Sequence, residues 1–422
     1  MDMVYFTICA RNYLAYARTL GQSLRAQVPQ SRFVVVLTDD LDGTDGFEEE
    51  VLPVDALNLP ELSAMKARYT LLELATAVKP ACYLHFLLKE GWRAAIYLDP
   101  DIEILAPLDE VTAALSSGAS CVLTPHLLAP LTDNARPADL DILSSGTFNL
   151  GFAAFDNSAE SLGYLSWWQS RLVKQGYNDL AHGLFVDQKW MEFAPSFLPN
   201  LKVLHHPGYN VAYWNLAHRP VTRAANGAWQ AAGQPLVFFH FSGVMPGNPN
   251  IFSRHQDRFN VTAIGEAAKL LRGYLERLEA NGHESWSRFP YAYSVFHDGT
   301  PIPDVVRRAL GDETVPADWF DSLDSDYWDA PSDDVDPESG FTVTRLMAAI
   351  HNSRPDLRAT FPLGTRSGRR AFHDWYIAHG ARELRLGEAQ IRAALKGKTT
   401  AFPGLARIIS RLRLLLFRPV RR

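Results

Sequence analysis

The chain has 422 residues, 47% hydrophobic and 21% charged, with a net charge of −6. It is too long for one ordinary core, so two or three domains are expected. Its acidic balance argues against nucleic-acid binding, and Cys9, Cys82 and Cys121 lack the paired spacing of a disulfide framework or zinc knuckle, which points to a reducing, cytoplasmic compartment.

The start, MDMVYFTICARN, does not have the pattern of a signal peptide, and no run of about 18 uninterrupted apolar residues predicts a membrane helix. VYFTICA (4–10) reads as a buried strand. Leu14, Ala17, Leu20 and Leu24 then recur at helical spacing. RFVVVLTDD (32–40) is a second strand ending in acids. A helical stretch follows and is broken near Pro80. RAAIYLDPD (93–101) and ASCVLTPH (119–126) are further strands, and this alternation predicts an α/β fold with a parallel or mixed sheet flanked by helices. FNLGFAAF (148–155) reads as a strand interrupted by Gly151, and LGYLSWWQSRLVKQG as an amphipathic helix. LFVDQKWMEFAP reads as a short helix ended by Pro195. A helix capped by Gly282 closes this unit, which is expected to span 1–283. An acidic, irregular linker (284–340) follows, carrying eleven acids between Asp312 and Glu338 and anchored by Trp319, Tyr327 and Trp328. A small helical module (341–400) and a basic amphipathic tail (401–422) complete the chain.

Five D-x-D triplets occur: Asp40/Asp42, Asp99/Asp101, Asp139/Asp141, Asp324/Asp326 and Asp334/Asp336. Only Asp99 and Asp101 directly follow an apolar strand, at the end where open α/β sheets bind ligands; Asp39 and Asp40 end another strand. Pro100 holds Asp99 extended, and side chains two apart then point the same way. Two such carboxylates suit a hard cation such as Mn²⁺ or Mg²⁺, shared with a diphosphate. A solvated, charged strand end is the other reading of the same residues.

AAIYLDPDIEILAPLDEV resembles the D-x-D region of metal-dependent, nucleotide-sugar-using glycosyltransferases with the GT-A fold. More narrowly, it resembles the retaining type that includes glycogenin and the bacterial lipooligosaccharide galactosyltransferases. Further matches follow in order over about residues 3–260: TICARNYLAYARTLGQSLR, Lys79, GTFNLGFAAF, FVDQKW and FFHFSGVMP. The resemblance implies a GT-A Rossmann-like catalytic domain. In it Asp99, Asp101 and His240 hold Mn²⁺ or Mg²⁺, and Asp187 or Gln188 serves the β-face of the sugar. Ala10, Asn12, Asp39, Lys79, Asn149, Gly151, Gly243 and Arg254 are expected on the donor. Two departures stand out. No lysine follows His240 and Gly243, so Arg254 or His255 is the candidate replacement. Ala10-Arg11-Asn12 stands where the family carries a donor-binding acid, which leaves the nucleobase open.

The polar-aromatic cluster His205, His206, Tyr209, Asn210, Trp214 and Asn215 reads either as a loop packed by rings or as an acceptor surface, with Trp214 and Asn215 as the acceptor-binding pair. In the tail, leucines and isoleucines at helical spacing alternate with arginines. A packed terminal helix is one reading. The other is contact of residues 402–422 with an anionic membrane surface, at about 1 kcal/mol per basic residue.

The function expected is transfer of a hexose, with retention, from a nucleotide-diphosphate sugar such as UDP-hexose. The acceptor is a glycan, a lipid-linked sugar or another hydroxyl. Two other readings share the triplet. One is a phosphohydrolase of the haloacid dehalogenase type, which wants Thr or Val where Glu103 stands. The other is a non-catalytic sugar- or protein-binding scaffold.

Overall fold

The computed structural model describes residues 2–309, 325–332 and 341–380, with a few further positions up to Ala394. The described residues form two compact units: those up to Leu62 with Leu71–Ala292, and Ser63–Thr70 with those from Tyr293 onward.

The first unit is built on a seven-stranded sheet. Its strands are β1 (Met3–Cys9), β2 (Arg32–Leu37), β3 (Glu50–Pro53), β4 (Ala94–Leu98), β6 (Cys121–Pro125), β7 (Phe148–Asp156) and β8 (Leu201–Val203), in the order β8-β6-β7-β4-β1-β2-β3. The pairs β1–β2, β1–β4, β2–β3 and β6–β8 are parallel, and β7 runs antiparallel between β4 and β6. The continuous apolar runs follow from this arrangement. Val4 to Cys9 are all buried because both faces of the sheet are covered. On one face lie helix α1 (Leu14–Gln27), whose predicted stripe Leu14, Ala17, Leu20 and Leu24 is fully buried, and α4 (Asp109–Ser116), whose Val111 and Leu115 join the same core; α5 (Asp139–Ser145) precedes β7. The other face carries α2 (Leu71–Ala77), α3 (Lys79–Leu84) and α6 (Ala159–Gln175), with Phe6 against Tyr83 and Tyr97. The mixed α/β architecture is the one the sequence predicts.

A short second ladder builds the site. Strand β5 (Ile102–Ile104) follows β4 after the Asp99–Asp101 turn and pairs antiparallel with β9 (Phe238–His240). Its register sets His240 opposite Ile102, and Phe241 N–H donates to the Asp101 carbonyl at 2.9 Å. Two segments 139 residues apart in sequence therefore share one end of the sheet.

Some local expectations are revised. Leu71–Lys89 has the length and composition of a membrane-crossing helix, but most of it is buried within the protein. Pro195 does not end a helix. It opens a turn at Ala194–Phe197, where its missing N–H costs nothing. Gly282 adopts the left-handed conformation (φ 86°) just past α7 (Ala267–Ala280), as its capping role requires.

The second unit has its own apolar core of Phe296, Ile302, Val306, Trp328, Leu346, Met347 and Phe372. It is helical, with α8 (Asp304–Ala309), α9 (Arg345–Ser353) and α10 (Arg366–Trp375). Thr344 and Thr365 cap α9 and α10 through their hydroxyls. Part of the expected linker is thus core-forming: Phe296, Ile302 and Val306 are buried, and Trp328 is the anchor expected of it. The segment Ser63–Thr70 also belongs here, since Arg307 Nη1 donates to the carbonyls of Lys66, Ala67 and Tyr69 at 2.9–3.1 Å. Trp319, most of the acidic stretch and the basic tail lie outside the described residues.

Candidate functional site

Asp99, Asp101 and His240 meet beyond the carboxyl end of β4, and one ligand atom from each lies within 4.8 Å of the others. His240 Nε2 is 3.0 Å from Asp101 Oδ1 and 3.5 Å from Asp99 Oδ2. The ring is 3% exposed, whereas the two carboxylates remain half-buried and open to solvent. Two carboxylates and one imidazole form an oxygen-rich donor set that fits Mn²⁺ or Mg²⁺.

Burial by itself would lower the pKa of His240, but Asp101 and Asp99 outweigh it and the pKa is raised. Burial raises the pKa of Asp99, against the pull of Lys79 and His240. A divalent cation at this site would compete with a proton for His240 Nε2 and would gain as pH rises through the elevated histidine pKa.

The strand expected to be interrupted at Gly151 runs through it without a break, from Phe148 to Asp156, and the glycine serves packing instead. Its carbonyl accepts from Asp99 N–H at 2.7 Å, and the His240 ring lies directly over its Cα. A Cβ at this position would sit 2.3 Å from His240 Cε1 and 2.7 Å from Nδ1. The glycine is thus the space the histidine occupies, a role distinct from the sugar contact expected of it.

The neighbouring strand residues are held from both sides. Asn149 Oδ1 accepts from Gly151 N–H, and its Nδ2 faces His126 Nε2 at 3.1 Å. Gln188 Oε1 accepts from Leu150 N–H at 3.1 Å, and its Nε2 donates to the Ser145 carbonyl at 2.9 Å. Lys79 Nζ donates to the Leu150 carbonyl at 2.9 Å and pairs with Asp187 Oδ2 at 2.5 Å. Asp187 is buried, and burial raises its carboxyl pKa while Lys79 pulls it down. Lys79, expected on the donor, is 1% exposed, and its ammonium is the counter-charge of Asp187.

At the ends of β1 and β2, Arg11 takes Asp39 out of play. The two form an ion pair at 3.2 Å, and Asp39 also accepts from the backbone N–H groups of Arg11, Asp40 and Ala292. Asp39, expected on the donor, is held in this clamp. Ala10 is buried at the turn beside it, and Asn12 is half-buried with an Oδ1 that has no partner among the described residues.

Gly243 (φ 74°) makes the turn after β9, and its carbonyl accepts from Arg254 N–H at 3.0 Å. A Cβ there would meet His255 Cδ2 at 2.3 Å. The Arg254 side chain is exposed, and its Nε lies 3.3 Å from His255 Nε2, so the two candidate replacements for the missing lysine stand side by side after this turn.

The acceptor pair is not at a surface. Asn215 is 1% exposed, and its amide is spent on Ala212 N–H and on the carbonyls of His126 and Asn210. Trp214 is buried with its ring edge-on to His240 and to His126. Both build the floor of the site, because a loop this close to β9 must satisfy its own backbone groups internally.

Two contributing residues escape sequence reasoning. The Tyr97 hydroxyl donates to Asp99 Oδ1 at 2.5 Å; the two-residue spacing on a strand was the available signal. His126 enters through its contact with Asn149, and no local pattern marks it. Asn210 stands in the polar-aromatic cluster, but its contacts with Asn149 and His240 are remote in sequence.

This fold and site can be set beside known proteins. No family model matches the chain. Among solved structures it is similar to glycosyltransferases. One is the galactosyltransferase LgtC in complex with donor and acceptor sugar analogs, at 16% identity over 65% of this chain and 95% of that one, with a TM-score of 0.40. Another is mouse xyloside xylosyltransferase 1, at 16% identity over 57% and 97%, with a TM-score of 0.35. Among curated proteins it is similar to the uncharacterized protein YfnF of Bacillus subtilis (strain 168), 24% identical over 58% of this chain and 82% of that protein. YfnD of the same strain, also uncharacterized, is 27% identical over 44% and 58%. At these scores the functional reading rests on the side chains of the site.

Proposed function

We propose that the chain is a divalent-metal-dependent glycosyltransferase acting on a nucleotide-diphosphate sugar. The observation that carries this reading is the convergence of Asp99, Asp101 and His240 from two distant segments at the carboxyl end of β4. When bound there, a cation supplies positive charge to the departing diphosphate. Asp99, Asp101 and His240 would hold it, and Arg254 offers a second positive charge from the Gly243 turn. Asn149 and Gln188 lie on the β7 side, their amides already holding the backbone at Gly151 and Leu150, so they shape the site rather than offer free amides to it. The finer reading is a UDP-hexose donor, a retained configuration and a glycan or lipid-linked acceptor. It draws on the motif resemblance, as does contact of residues 402–422 with an anionic membrane surface.

The test is release of nucleoside diphosphate from a panel of nucleotide sugars with Mn²⁺. Asp101→Ala should lose about 10²–10³-fold in turnover, the scale of removing one preorganised electrostatic group. Turnover should also rise as pH increases through the His240 pKa, above its ordinary value of 6.5. Phosphate release from monoesters would favour the phosphohydrolase instead, and no turnover with any donor would favour the scaffold.

A further inference from the structure

The hydrogen bonds around His240 can be oriented from the backbone outward. Gly151 N–H can only donate, so the Asn149 atom facing it at 3.1 Å is Oδ1. The Asn210 side chain reaches that same oxygen at 2.9 Å, so the atom it presents is Nδ2, whose other hydrogen goes to Thr124 Oγ1 at 2.9 Å. What remains of the amide is Oδ1, an acceptor only, 3.2 Å from His240 Nδ1. Nδ1 must then carry the hydrogen. In the neutral ring this leaves the Nε2 lone pair directed at Asp99 and Asp101.

The backbone supports the same arrangement. Asn210 is fully buried at φ 55°, a left-handed conformation that asparagine tolerates better than most residues. Its carbonyl accepts from Asn215 Nδ2 at 2.9 Å. The next residue, Val211, is tied to β9 at both ends: Val211 N–H donates to the Phe238 carbonyl at 3.2 Å, and His240 N–H donates to the Val211 carbonyl at 2.8 Å. Asn210 and His240 thus ride on adjoining backbone, and the amide cannot drift from the ring.

We infer that Asn210 is the positioning residue of the site: it fixes the tautomer and orientation of His240 so that Nε2 serves as the metal ligand. This inference rests on the metal-dependent reading above. Partners behind a ligating histidine of this kind are worth about 10–100-fold in metal affinity.

Two readouts test it, neither of them enzyme activity: the ¹⁵N chemical shifts of the His240 ring at alkaline pH, and Mn²⁺ affinity by calorimetry. Wild type should show the Nδ1–H tautomer. Asn210→Gly, which keeps the backbone conformation but removes the oxygen, should shift the ring toward Nε2–H and weaken Mn²⁺ about tenfold or more. Asn210→Asp, which keeps an oxygen opposite Nδ1, should retain the wild-type tautomer. An Nε2–H ring in wild type would overturn the inference even if the glycine variant does not fold. Equal Mn²⁺ affinity in wild type and Asn210→Gly would overturn the positioning role alone. Absence of Asp101-dependent Mn²⁺ binding in wild type would remove the metal reading itself.

Discussion

Lys79→Met is expected to destabilise the first unit by about 3–5 kcal/mol, the range for removing one partner of a buried ion pair. The Lys79 and Asp187 side chains are each only 2% exposed. The lysine also donates to the Leu150 carbonyl and lies 4.1 Å from the centre of the Tyr97 ring. Without it, Asp187 is left as a carboxylate without counter-charge in a low-dielectric setting. It must then take up a proton or open the structure to water. Adding Asp187→Leu to Lys79→Met should recover most of the loss, since the cost comes from the stranded charge. Chemical denaturation followed by tryptophan fluorescence reads both, because Trp168 is fully buried and donates to the Asp187 carbonyl. A Lys79→Met protein within about 1 kcal/mol of wild type, the range of an ordinary substitution, would contradict the pair's role.

Gly151→Ala should damage the site without removing any ligand. The added methyl would stand 2.3 Å from His240 Cε1 and 2.8 Å from Asn149 Oδ1, so the ring must swing away from the carboxylates. Overpacking of this kind costs about 1–3 kcal/mol of stability. A displaced ligand should cost about 10–100-fold in Mn²⁺ affinity, as disturbance of a ligand's supporting shell does. Gly163→Ala in α6 is the matching control: nothing lies within 4 Å of its Cβ position. That helical substitution should be neutral or stabilising by up to about 1 kcal/mol and leave Mn²⁺ binding unchanged. Mn²⁺ affinity unaltered by Gly151→Ala would show that His240 is not fixed by this contact.

What could be read from residues in order was local. The α/β alternation followed from apolar runs and helical spacing, and Asp99 and Asp101 stood out because a strand end and Pro100 fix their direction. His240 was reached only through the motif resemblance, since its place depends on the pairing of β9 with β5, which no single segment specifies. Lys79, Asp39, Trp214 and Asn215 were read as ligand-facing, and each proved to be engaged within the protein. The reason is common to all four: a polar side chain next to a site must also satisfy the buried groups around it. Which of the two duties it serves depends on partners far away in sequence, such as Asp187 for Lys79 and Arg11 for Asp39. The second unit was underestimated for a related reason. Phe296, Ile302 and Val306 carry too little periodicity to announce a core, yet they share one with Leu346 and Met347 of α9 and Phe372 of α10.

Anomalous diffraction at the manganese edge, from crystals soaked in Mn²⁺ with a nucleoside diphosphate, asks whether Asp99, Asp101 and His240 jointly hold a divalent cation. One strong peak is expected between the two carboxylates and His240 Nε2, with the diphosphate beside it. A manganese peak elsewhere, or none at this strand end, would rule out a shared cation at the triad.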